Sequence, residues 1–406
     1  MGHADTGNQQ YRAPVVAEGS WQGKLIRAPP HRQRRCVVQS GRKESTMSTP
    51  RTPIDPDAPV LVTGASGYIG SWIVRALLEA GHTVHGTVRN PQKTTALEHL
   101  HKLSADHPGR LMLFKADLLA PGSFDDAMDG CQVVMHTASP FLLSGFTDAQ
   151  EALVRPALQG TRNVLDAVNR TQSVKRVVLT SSVVAIYGDA RESRDVPGGV
   201  FTEEHWNTTS SVDHQPYPYS KTVAEQEAWR YQQGQERWDM VTIHPGLVLG
   251  PSLTSASDSA SLSTMKQFTD GSMLAGAPAL TMGVVDVRDV ADAHLRAGFT
   301  AEAHGRYIVN AESLTLLDIG RILRRRFGPF YPFPRMTAPK VLVKAIAPAA
   351  GLTRKFVDRN IGYPLEFDNS RSRNELGLVY RPAEQTITEH FRQMLDDGLV
   401  RRMPGS

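Results

Sequence analysis

Tyr217 and Lys221, four residues apart in the run Tyr217-Pro218-Tyr219-Ser220-Lys221, have the types and spacing for proton transfer to an oxygen. The following residues, Thr222 to Trp229, are good helix formers with an apolar stripe. On a helix this spacing puts both side chains on one face, with the ammonium near the phenol. A free tyrosine titrates near about 10, and each unit of depression takes about 1.4 kcal/mol of preference for the phenolate. A neighbouring ammonium supplies part of that preference, which makes Tyr217 a candidate general acid toward a carbonyl oxygen. Tyr219 competes for the role, but it lies only two residues from Lys221 and would diverge from it on a helix. Just past the apolar run Val177-Val178-Leu179, Ser182 could donate a hydrogen bond to the same carbonyl oxygen. Ser181 is the alternative, because adjacent strand residues face opposite ways and the register is open. Tyr-x-x-x-Lys also arises by chance on surface helices, so the reading depends on the surrounding elements.

Those elements begin at Pro59-Val60-Leu61-Val62, an apolar run that leads into Thr63-Gly64-Ala65-Ser66-Gly67-Tyr68-Ile69-Gly70. A buried strand, a glycine turn and a helix place backbone N–H groups and a positive helix end against a pyrophosphate. Gly64 would allow the tight turn, Gly67 the approach of phosphate to backbone, and Gly70 the packing of a helix starting near Tyr68. Helical periodicity in Trp72, Ile73, Ala76, Leu77 and Leu78 stops at Gly81, and a second strand runs from His82 to Val88. That strand ends in Arg89, with Lys93 four residues on and no carboxylate. Cations there suit the 2′-phosphate of NADP(H) better than the ribose hydroxyls of NAD(H), the alternative cofactor. A positively charged oxidised nicotinamide would add to the Lys221 effect on Tyr217, and Lys221 also has donors for the nicotinamide ribose.

Further strands are expected at Leu111 to Phe114, Gln132 to Met135 and Val177 to Leu179, with a helix from about Leu153 to Asn169. This alternation predicts an α/β fold, a doubly wound parallel Rossmann sheet with helices on both faces, holding its ligand across the carboxyl ends of the strands. Asp117 is placed to accept from an adenine amino group, and Thr137, Ala138 and Ser139 to line the cofactor. His136 is read as structural. His82, His85, His99 and His101 are expected on strand edges and polar surface. The stretch from Ser252 to Thr264 reads as a mobile flap, Asp286 and Asp289 as caps of the next helix, Gly305 to Val309 as a strand, and Phe327 to Pro334 as a packed connection. Domain boundaries follow: a basic, disordered extension over residues 1–57, a cofactor-binding domain over 58–250, and a smaller, intertwined substrate domain over 251–406 with segments returning to the core.

Composition excludes several classes. Two cysteines, Cys36 and Cys131, cannot build a disulfide framework or a thiolate metal cluster, and the histidines show no metal-ligand spacing. No apolar run approaches the roughly 18 to 20 residues of a membrane span; the longest, Val341 to Leu352, is interrupted by Lys344 and Pro348. The net charge of +4 is concentrated at the start, where residues 1–46 carry eight Lys and Arg against three Asp and Glu. The rest is near neutral, which argues against a nucleic-acid surface. Met47 opens a segment suited to start a cytoplasmic enzyme, so residues 1–46 are expected to be an upstream extension rather than a targeting peptide. A monomer or homodimer is expected.

The ordered set T-G-A-S-G-Y-I-G, K-A-D-L, H-T-A-S-P, L-T-S-S, Y-P-Y-S-K-T-x-A-E and H-P-G-L-V-L-G-P resembles the extended short-chain dehydrogenase/reductases of the NAD-dependent epimerase/dehydratase superfamily. Within them it is most similar to the dihydroflavonol reductase, cinnamoyl-CoA reductase and aldehyde reductase group. The resemblance implies a Ser182, Tyr217 and Lys221 catalytic triad. It also implies cofactor contacts from Gly64, Gly67, Tyr68, Ile69 and Gly70, from Arg89 and Lys93, from Asp117 and Leu118, from Thr137, Ala138 and Ser139, and from Pro245, Gly246, Leu247 and Val248. Val183-Val184-Ala185-Ile186-Tyr187-Gly188 departs from the plant members toward sugar-nucleotide epimerases. Candidate substrate-lining residues are Phe141, Leu142, Ile186 and Tyr187, mainly apolar. The expected activity is NADPH-dependent reduction of an aldehyde or ketone; an NAD-dependent epimerase or 3-beta-hydroxysteroid dehydrogenase and a non-catalytic NADP sensor are the alternatives.

Overall fold

In the parallel sheet, strands buried on both faces read as near-continuous apolar runs, and Val60–Thr63 (β1), buried throughout, is one. A computed structural model describes residues 53–139, 148–254 and 260–403. The further strands are Val84–Val88 (β2), Leu111–Lys115 (β3), Val133–His136 (β4), Arg176–Thr180 (β5), Val200–Phe201 (β6), Asp239–Pro245 (β7), Leu247–Leu249 (β8), Thr281–Asp286 (β9), Gly305–Val309 (β10), Glu312–Thr315 (β11) and Glu366–Phe367 (β12). Seven of them form one sheet in the order β10-β7-β5-β4-β1-β2-β3, every pair parallel. The order reverses between β1 and β4, and a crevice opens at such a reversal.

Helices cover both faces. Tyr68–Glu79 and Val287–Phe299 pack together on one, burying Ile73, Val74, Leu77, Val290 and Ala297 against Val60, Val62 and Met135. Arg155–Arg170 and Pro216–Gln233 pack together on the other, over a cluster that holds Val164, Val168, Ala228 and Trp238 with Leu61, Val134 and Val177. The chain then leaves the sheet for β8 and β9, returns through Val287–Phe299 and β10, and leaves again for β11; β8, β9 and β11 form a three-stranded sheet of their own. A separate apolar cluster gathers Phe268, Phe327, Tyr331, Phe333 and Phe391, with ring centroids of Phe327 and Phe391 4.6 Å apart. The Phe327 to Pro334 stretch is thus a packed connection. The described residues all belong to one compact unit spanning Arg51–Ser406, and none of their helices is long and apolar enough to cross a membrane.

Several expectations need correction. His85 lies within β2, is buried, and places Nδ1 2.8 Å from the Ala127 carbonyl; His99 is also buried. Sheet and helix packing placed these rings, which residue polarity alone assigned to the surface. Within the expected flap, Ala260–Lys266 is a helix, and Ser252 is held at both backbone atoms by Gln393, its N–H to Oε1 at 2.6 Å and its carbonyl from Nε2 at 2.7 Å. Asp286 does cap the Val287–Phe299 helix, accepting from the Arg288 N–H at 2.8 Å. Asp289 does not: it accepts from the Arg381 N–H at 2.8 Å and pairs with the Arg381 guanidinium, tying the helix to a distant segment.

Candidate active site

The crevice between β1 and β4 is shaped by what glycine omits. Gly64 has φ +67°, and a Cβ there would sit 3.1 Å from the Ala138 Cα, so its absence lets the loops after β1 and β4 approach. A Cβ on Gly70 would lie 2.3 Å from the Gly64 carbonyl oxygen, too close for any side chain. Thr63 joins the two loops: its Oγ1 accepts from the Thr137 and Ala138 N–H groups, both at 3.1 Å, and its carbonyl accepts from Thr137 Oγ1 at 2.6 Å. With its proton not needed there, Thr63 Oγ1 donates to His136 Nδ1 at 2.9 Å. His136 is buried beside Lys221 and is pushed down to about 3, first by burial and then by that charge, in keeping with a structural role. The Tyr68–Glu79 helix begins after Gly67 with no side-chain cap, leaving its N-terminal dipole for an anion. These features fit a dinucleotide pyrophosphate.

Around the crevice, Arg89 directly follows β2 and is exposed, as is Lys93. Asp117 is exposed, and its Oδ1 accepts from the Leu119 N–H at 2.8 Å; Leu118 is half-buried. Pro245 ends β7, Gly246 joins it to β8, and Leu247 and Val248 lie within β8.

Pro216–Gln233 carries Tyr217 and Lys221 on one helix, with the ammonium 5.9 Å from the phenol ring centroid. Lys221 Nζ donates to Ser139 Oγ at 3.0 Å, which links this helix to the loop after β4. Burial lowers Lys221 to about 8 and pushes Tyr217 up to about 12. The expected depression of the phenol is therefore not produced by the protein alone, because burial disfavours the phenolate.

The two serines after β5 differ. Ser181 is buried and donates to Glu225 Oε2 at 2.5 Å. Ser182 is half-buried and extended, at φ −162° and ψ 156°, and begins the short turn Val183–Ala185, against which the Pro216–Gln233 helix packs. Among the described residues its Oγ has only long contacts, 3.5 Å to the Pro245 carbonyl and 3.4 Å from the Val184 N–H. Of the expected substrate-lining residues, Ile186 is fully buried in a cluster with Phe201 and Ile308 and offers no surface. Tyr187 is half-buried against Phe201 and Phe367, with centroids 5.6 Å from each. Phe141 and Leu142 lie outside the described residues.

Sequence reasoning overlooked Glu225. It is 1% exposed, with Arg306 Nε 2.8 Å from Oε1 and His244 Nε2 2.8 Å from Oε2. Burial raises its carboxyl, but His244, Arg306 and Ser181 together hold it down to about 2. A signal was present: Glu225 stands four residues after Lys221, so an acid falls on the same helix face and must be matched by donors.

The family model for the NAD dependent epimerase/dehydratase family matches residues 60–310. A cinnamoyl-CoA reductase of Medicago truncatula is 36% identical over 333 residues, covering 81% of this chain and 93% of its own. Tetraketide alpha-pyrone reductase 1 of Arabidopsis thaliana is 36% identical over 348 residues, covering 84% and 96% respectively. Among solved structures, the yeast methylglyoxal/isovaleraldehyde reductase Gre2 complexed with NADPH aligns with a TM-score of 0.67 at 27% identity, covering 83% of this chain and 98% of that one. The chain belongs to the NAD dependent epimerase/dehydratase family and is an oxidoreductase within it.

Proposed function

We propose that the protein reduces an aldehyde or ketone to an alcohol with NADPH, using Ser182, Tyr217 and Lys221. The observation that carries this reading is the Lys221 to Ser139 hydrogen bond, which joins the Tyr217 helix to the lip of the glycine-lined crevice. Gly64, Gly67, Tyr68, Ile69 and Gly70 would hold the pyrophosphate, Arg89 and Lys93 the 2′-phosphate, Asp117 and Leu118 the adenine. Thr137, Ala138, Ser139, Pro245, Gly246, Leu247 and Val248 would line the nicotinamide side. NADPH bound there supplies a hydride to the carbonyl carbon. Tyr217 Oη, still protonated at neutral pH, gives its proton to the carbonyl oxygen, and Lys221 stabilises the phenolate that remains. Ser182 Oγ donates to the same oxygen while negative charge develops on it. Ser182 suits that task better than Ser181, whose hydroxyl proton is already committed to Glu225.

The named relatives support a reductase, and Arg89 supports NADPH over NADH through its fixed charge at the end of β2. Purified protein should oxidise NADPH faster than NADH when given a panel of aromatic aldehydes, ketones and cinnamoyl-CoA. No cofactor oxidation across the panel, or full activity in Tyr217→Phe, would overturn the reading; a strong preference for NADH would overturn the Arg89 assignment.

A further inference from the structure

The carboxylate of Glu225 sits on the inner side of the helix that carries Tyr217 and Lys221. Glu225 lines a small cavity together with His136, Ser139, Ser181 and Lys221. A buried carboxylate persists only when donors surround it, and here they come from four places. Ser181 Oγ donates from the end of β5, His244 Nε2 from β7, Arg306 Nε from β10, and Trp229 Nε1 from one turn further along the same helix at 3.2 Å. Arg306 is itself held. Its Nη1 donates to the Glu203 carbonyl at 2.8 Å and the His205 carbonyl at 2.5 Å, and its guanidinium lies 3.9 Å from the Trp206 ring centroid.

Two of these donors flank the proposed reaction centre by one residue each. Ser181 precedes Ser182, and His244 precedes Pro245, whose carbonyl lies 3.5 Å from Ser182 Oγ. Ser182 has no short hydrogen bond among the described contacts that would aim its hydroxyl. Neighbouring residues of an extended segment point to opposite sides, so drawing Ser181 inward turns Ser182 outward. The aim of Ser182 is therefore set by its neighbours' attachment to Glu225.

We infer that Glu225 is a positioning residue for carbonyl reduction: through Ser181 and His244 it brackets the Ser182–Pro245 pair and holds the Ser182 hydroxyl in register with the Tyr217 and Lys221 face. The inference rests on the proposed roles of Ser182, Tyr217 and Lys221. A carboxylate that served only to glue the fold would change melting temperature without a specific tie to Ser182, whereas groups that act as a unit give non-additive losses.

The test compares Glu225→Gln, Ser182→Ala and the double variant in the full-length protein, measuring kcat, KM, NADPH affinity by fluorescence titration, and melting temperature. Ser182→Ala should lower kcat on the order of 100-fold, the scale of one lost donor to a developing oxyanion. Glu225→Gln should lower kcat about 10-fold or more while NADPH affinity stays within about twofold, and should cost less than about threefold further in the Ser182→Ala background. Wild-type kcat in Glu225→Gln, or losses that multiply in the double variant, would overturn the inference. Should Glu225→Gln fail to fold, Ser181→Ala removes one tether and leaves the carboxylate with Arg306 and His244. It should show the same loss and the same dependence on Ser182, and an unchanged kcat there would also overturn the inference. Full activity in both Tyr217→Phe and Ser182→Ala would instead mark failure of the functional reading itself.

Discussion

Two helices begin near the proposed site, and they begin in opposite ways. Tyr68–Glu79 follows a loop in which Gly64 takes φ +67° at no steric cost. Pro216–Gln233 follows Gln215 at φ 57°, the one non-glycine residue with positive φ among those described. A left-handed non-glycine residue costs about 1–3 kcal/mol and persists only when its surroundings over-determine it. Here Gln215 Nε2 donates to the Gly188 carbonyl at 2.8 Å and to Asp189 Oδ1 at 2.9 Å. Asp189 is buried and also takes His214 Nε2 at 2.8 Å, Asn360 Nδ2 at 2.9 Å and Arg359 Nη1 at 3.0 Å. The turn that opens Tyr68–Glu79 takes its shape from local residue choice. The Tyr217 end is held by residues from remote parts of the chain.

That contrast can be broken at either end. The largest effect is expected from Tyr217→Phe, which removes the proposed proton donor and should lower kcat by about 10²–10⁴ with NADPH affinity retained, as steady-state kinetics and fluorescence titration would show. At the other helix, Gly70→Ala drives a methyl group into the Gly64 carbonyl. Overpacking of about 1–3 kcal/mol should weaken NADPH binding by roughly 10- to 100-fold, and unaltered affinity would disprove the cradle.

Proton accounting gives the next effect. Tyr217 keeps its proton up to about 12, whereas Lys221 loses its charge above about 8. Reduction should therefore slow as pH rises through about 8, by roughly tenfold at about pH 9. A profile flat through that window would argue against a role for the Lys221 charge.

The smallest effect separates strain from tethering. Gln215→Ala keeps the disfavoured φ and loses the amide, and should cost about 1–2 kcal/mol by denaturant melting; Gln215→Gly also loses the amide but relieves the backbone, and should recover part of that loss. Equal stability of the two variants would mean that φ at this position carries no cost.

Much of the architecture was legible because its signals are short-range. The apolar run at Val60, the three glycines through Gly70 and the stop at Gly81 each act within a few residues, and the alternation of strands and helices repeats that logic. The same holds for Asp286, a cap that acts two residues away. His85 and Ile186 were harder, since whether a side chain is covered depends on elements that pack over it from elsewhere. Asp289 failed as a cap for the same reason, its partner Arg381 being 92 residues away.

By itself the sequence determined a glycine turn between a buried strand and a helix, a cation directly after the next strand, and a tyrosine and lysine on one helix, because glycine geometry, strand burial and helical spacing are properties of neighbours. Only the tertiary structure disclosed that the Ser181 hydroxyl is bound to Glu225, and only it disclosed the two buried acids, Glu225 and Asp189, around which the Tyr217 helix is set. Those decisions depend on hydrogen bonds between residues far apart in the chain, and a buried carboxylate selects its donors by where the fold brings them, not by where they stand in sequence.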